Sequence, residues 1–94
     1  MPKSSLTLQE TTTTIGAAEV LERAKQFFAS RPSLYSTFLD KEGPGFASFR
    51  GQGGEEIVIA VAPGEGSATR VTGSSYLFDM QVSRFFATLA PAGA

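Results

Sequence analysis

Glycine and proline cut the middle of this 94-residue chain into pieces too short to be helices. Lys41-Glu42-Gly43-Pro44-Gly45, Gly51-Gln52-Gly53-Gly54 and Pro63-Gly64-Glu65-Gly66-Ser67 are turns by composition. Glycine supplies positive φ at no steric cost there, and proline cannot continue a helix or donate to a ladder. The pieces between them, residues 34–39, 46–50, 55–62 and 68–72, are rich in β-branched and aromatic residues. Strands at such close spacing form an antiparallel meander. The third piece holds Ile57, Val58, Ile59, Ala60, Val61 and Ala62, apolar on both parities, which is the pattern of a central strand.

Two segments of helical period bracket the meander. Gly16 opens the first, in which Ala17, Val20, Leu21, Ala24, Phe27 and Phe28 repeat at i, i+3, i+4, i+7. Glu19 sits near the positive helix end and pairs at i,i+4 with Arg23, while Glu22, Lys25 and Gln26 share the polar side. Pro32 stops the segment. In the second, Gly73-Ser74-Ser75 closes the sheet and caps a helix whose stripe is Phe78, Val82, Phe85, Phe86 and Leu89, ended by Pro91. Ahead of the first helix, Leu6 and Leu8 alternate with Ser5, Thr7 and Gln9, and four threonines follow, which reads as one more strand. The expected fold is α+β, a two-layer β-α-β-β-β-β-α domain in which an antiparallel sheet packs on two helices. One domain spans residues 1–94, with 1–4 and 91–94 frayed.

This order of elements, from Leu6 to Leu89, resembles the helix-grip or TATA-binding-protein-like architecture. The resemblance implies a curved antiparallel sheet cradling the C-terminal helix. Carriers of lipids and small hydrophobes, polyketide cyclases and a DNA-bending domain share that architecture. It rests on order alone and assigns no residue a role.

Composition removes whole classes of function. The chain has no histidine, cysteine or tryptophan. The usual general base near neutral pH, the usual thiol nucleophile and the ordinary transition-metal ligands are therefore absent. No catalytic residue, no cofactor and no metal site is expected, and disulfides are excluded. Net charge is −1 and the pI about 5.3, so no basic field gathers nucleic acid or an anionic membrane. No apolar run spans a bilayer and no leader-like stretch is present, so the cytoplasm is the expected setting.

The remaining polar groups have plain structural roles. Asp40, Lys41 and Glu42 at the first turn, with Glu55 and Glu56 at a strand start, are solvating residues whose spacing fits no cation loop. The glycine-rich turns lie between strands, not before a helix, so they cradle no phosphate. Ser75 reads as an N-cap instead of an anion contact or a nucleophile lacking its base. Arg50 and Arg70 fall on the sheet face away from the helices if Phe49 and Val71 point inward, and two arginines make a thin footprint for nucleic acid.

What stays unexplained is apolar. Val58, Ala60 and Ala62 give the far sheet face an apolar strip, and Tyr76 and Met80 stand off the stripe of the second helix. These residues mark an interaction patch. The leading expectation is a non-catalytic assembly module that binds a copy of itself or a protein partner. The alternative is a carrier holding an apolar small molecule between sheet and C-terminal helix, lined by Phe38, Phe46, Phe49, Phe78, Phe85 and Phe86.

Overall fold

The computed structural model describes residues 6–29, 37–51, 56–76 and 79–89. Its elements are β1 (Leu6–Thr13), α1 (Ala17–Ala29), β2 (Thr37–Gly43), β3 (Phe46–Gly51), β4 (Glu56–Pro63), β5 (Thr69–Tyr76) and α2 (Asp79–Phe86). This is the α+β order that the two periodicities lead to. The strands form one sheet in the order β1-β5-β4-β3-β2, antiparallel at every step. β4 is central, as its apolar character on both parities requires. β1 and β2 lie at opposite edges, and α1 spans the sheet between them, packing on β2, β3 and β4. α2 covers the other end, over β5 and β1.

The core fills the space between the helices and one sheet face. α1 contributes Val20, Leu21, Ala24 and Phe28; the strands contribute Ala47, Phe49, Ile57, Ile59 and Val71; the C-terminal segment contributes Val82, Phe85 and Leu89. Phe28 is the hub. Its ring centroid lies 5.3 Å from that of Phe49 on the sheet and 5.4 Å from that of Phe85 on α2. Such tilted contacts suit the ring quadrupole. At the α1 terminus the Phe28 carbonyl accepts a hydrogen bond from the Thr37 hydroxyl, which fastens the start of β2 beneath the helix. Ala17 opens α1 and is exposed, so the apolar stripe begins one turn later, at Val20.

Two of the boundaries that differ from the sequence reading are explained by strand pairing. Residues 41–43 are not a turn. β2 continues through them to Gly43, which pairs with Phe46, leaving Pro44-Gly45 as the turn. A register shift between Leu39 and Lys41 takes up the irregularity. β5 likewise extends to Tyr76, so Gly73-Ser74-Ser75 is strand, not a helix cap, and α2 starts at Asp79. Between Leu6 and Glu56 in register, β5 has a ladder partner on each side along its whole length, and those bonds outweigh the local preference of serine for a cap. Pro32, residues 34–36, residues 52–55, Leu77, Phe78 and Pro91 lie outside the described residues.

Gly73 has a different use from the one its neighbours suggest. It is buried under α2, and a Cβ built there would stand 2.7 Å from Val82 Cγ1, 3.2 Å from Phe86 Cζ and 3.3 Å from Ile59 Cδ1. The missing side chain is what lets α2 seat directly on β5.

Candidate interaction surface

Alternation along β4 divides the sheet. Ile57 and Ile59 are fully buried toward the helices, with Val61 packed on the same core. Val58 and Ala60 are half-exposed on the opposite face, and Ala62 is exposed. Register carries that face across the sheet. Val58 stands between Ser74 and Ser48, Ala60 between Thr72 and Phe46, and Ala62 beside Arg70. β1 adds Leu8 beside Ser74, Glu10 beside Thr72 and Thr12 beside Arg70.

The result is a face with a small-residue centre and large apolar flanks. Ser48, Val58, Ala60, Thr72 and Ser74 form the middle. Leu8, 72% exposed, stands toward the β1 edge, with Phe38 (49%) and Phe46 (37%) toward the β2 edge. The arginines of this face are paired. Arg70 Nε donates to Glu10 Oε2 at 2.8 Å, and Arg50 Nε donates to Asp40 Oδ2 at 3.4 Å with Glu56 4.0 Å away. Exposed pairs of this kind contribute about 0–1 kcal/mol. Their larger effect is to leave the face with little unbalanced charge. Arg50 and Arg70 do lie away from the helices, since Phe49 and Val71 are fully buried on the other side.

Asp40 and Glu42 do not converge. Asp40 pairs with Arg50 on the outer face, whereas Glu42 accepts a hydrogen bond from Lys25 Nζ of α1 at 2.9 Å. Lys25 also meets Glu22 at 3.0 Å, and the Glu42 carboxylate, then that of Glu22, holds its ammonium above the ordinary lysine range. Among the described residues no three potential metal ligands come together. Ser75 is buried within β5, and its Oγ has no hydrogen-bond partner among the described residues.

The proposed patch is split. Val58, Ala60 and Ala62 share one face, as their parity requires. Tyr76 ends β5, with its Cα paired to Leu6 and Glu56, while Met80, 64% exposed, lies on α2. The two are not one helical turn apart, because the helix starts after Tyr76. The phenylalanines divide as well. Phe49 and Phe85 are buried in the core, but Phe38 and Phe46 are on the outer face and do not line the space beneath the helices. Leu8, Phe38 and Phe46 are the members of the outer face that the sequence reading missed. The signal lay in register: each falls opposite a residue of outward parity.

An open concavity of about 630 Å³ lies at the β4–β5 hairpin end, lined by Thr12, Thr14, Glu65, Ser67 and Arg70 among others. Gly66 takes a positive φ of 61° in that hairpin, and the Gly64 amide donates to the Ala68 carbonyl at 2.9 Å. No helix of the described residues is long and apolar enough to cross a membrane. No protein-family model, curated protein or solved structure matches this chain.

Proposed function

We propose that this chain is a small non-catalytic assembly module whose outer sheet face docks on a second copy or on another protein, in a reducing compartment such as the cytoplasm. The observation that supports this reading is a half-exposed, charge-balanced face (Leu8, Phe38, Phe46, Val58, Ala60) that no helix of the described fold covers. The small residues at its centre let another surface approach the backbone closely, and the larger side chains at its flanks supply the apolar area. The same strands already hide their other parity, so the outer face can be spent on contact without weakening the core. An apolar-ligand carrier draws less support, because Phe38 and Phe46 of its expected lining lie on the far side of the sheet.

Ala60→Lys tests the reading. It puts an ammonium at the centre of the face while the monomer, half-exposed there, tolerates it. Light scattering on the purified chain, and on any complex isolated with it, is expected to show loss of the larger species with the far-UV spectrum intact. A folded variant of unchanged mass sinks the proposal. Ile59→Lys, on the buried parity, is the control and is expected to unfold.

A further inference from the structure

The two edges of the sheet are treated differently. Edge strands present alternate backbone N–H and C=O groups as a template for another strand, and proteins blunt them with bulges and charges. β2 carries both: its register shifts between Leu39 and Lys41, and Asp40, Lys41 and Glu42 run along it. β1 carries neither. Its register with β5 is unbroken from Leu6 to Thr13, it has no proline, and its sole charge, Glu10, is neutralised by Arg70 at 2.8 Å.

We propose that β1 pairs edge to edge with β1 of a second copy, antiparallel about a two-fold axis, to make one continuous sheet. This does not rest on the outer-face reading, since it uses the backbone edge and not the face. The sequence of β1 selects the register. A two-fold keeps helix-side residues opposite helix-side residues only when a residue meets itself on the axis. An axis at Glu10 sets two carboxylates directly against each other. An axis at Gln9 sets Leu8 against a carboxylate. An axis at Thr11 sets Thr11 against Thr11, a favourable cross-strand pair, and Glu10 against Thr12 of the second copy. Thr12 is the β5 neighbour of Arg70, so Glu10 of the second copy lies one strand beyond Thr12 in the same row as that guanidinium. Of these three registers, only that one keeps Glu10 from facing a carboxylate or an apolar side chain directly, and the helices remain on one side of the joined sheet.

Thr12 gives a test in which the predicted signs separate. It is exposed on the outer face beside Arg70, so a carboxylate there is compatible with the monomer, yet it faces Glu10 of the second copy at two symmetric places. Sedimentation equilibrium of the full chain over a range of concentration is expected to show a dimer. Thr12→Glu should raise its dissociation constant about tenfold, and Thr12→Lys should lower it several-fold. A monomeric chain, or two variants that shift the constant in the same direction or not at all, overturns the proposal. Ala60→Lys separates the two surfaces. An edge dimer survives it, and a dimer dispersed by Ala60→Lys but indifferent to both Thr12 variants overturns the edge while leaving the outer-face reading in place.

Discussion

The same five strands present two faces built to opposite specifications. On the helix side Phe49, Ile57, Ile59 and Val71 are wholly removed from water and interlock with Phe28 and Phe85. On the other side Val58, Ala60, Thr72 and Ser74 sit half-exposed between ion pairs. The hydrophobicity of β4 barely distinguishes them; volume does. In β4 the isoleucines fill the side packed to interior density, and Val58, Ala60 and Ala62 occupy the side that stays accessible.

Phenylalanine truncations break this comparison most sharply. Phe28→Ala removes the hub of the core and is expected to cost about 3–5 kcal/mol in urea unfolding. Phe46→Ala, the same deletion on the outer face, is expected to cost less than about 1 kcal/mol in the monomer. Equal losses would mean that the outer face is as well packed as the inner one. Next in size is Gly73→Ala. The added methyl meets Val82 at 2.7 Å on the seat of α2 and is expected to cost about 1–3 kcal/mol, seen as a lower urea midpoint. No change in midpoint would show that α2 is free to ride up on β5.

The smallest effect lies at the rim between the layers. The carboxylates of Glu42 and Glu22 raise the pKa of Lys25 above its ordinary 10.5, so the protonated form binds more tightly in the folded chain than in the unfolded one. The stability this supplies is complete below the unfolded value and disappears as pH climbs through the raised folded value. A slight alkaline fall in melting temperature is expected, and Lys25→Met should flatten it. An identical alkaline profile in the variant would remove Lys25 from the account.

Much of this was legible in local pattern. Val20, Leu21, Ala24 and Phe28 announce α1 because an exposed helix has to put one stripe inward, and the 57–59–61 parity separates core from outer face for the same reason. The misreadings share one cause, which is that pairing with distant strands is invisible locally. Gly73-Ser74-Ser75 resembles a cap until β1 and β4 are placed on either side of it. Lys41, Glu42 and Gly43 resemble a turn until β3 extends alongside them. The outward positions of Phe38 and Phe46 follow from register, which no window of a few residues contains. For the patch, parity found Val58, Ala60 and Ala62, whereas the link between Tyr76 and Met80 depended on a helix boundary that the ladder moved.

The placement of β1 beside β5 also sets the order in which the molecule can be built. β2 to β5 are joined as successive hairpins, whose closure is fast and needs no distant segment. β1 has to wait. Its contacts with the C-terminal half join residues as far apart as Gln9 and Ser83, 74 positions along the chain. Loop closure over such a span is entropically costly and rewarded only once β5 is in place. On the ribosome β1 emerges well before the β5 that pairs with it, and until the two meet the edge of β5 is open to a wrong partner.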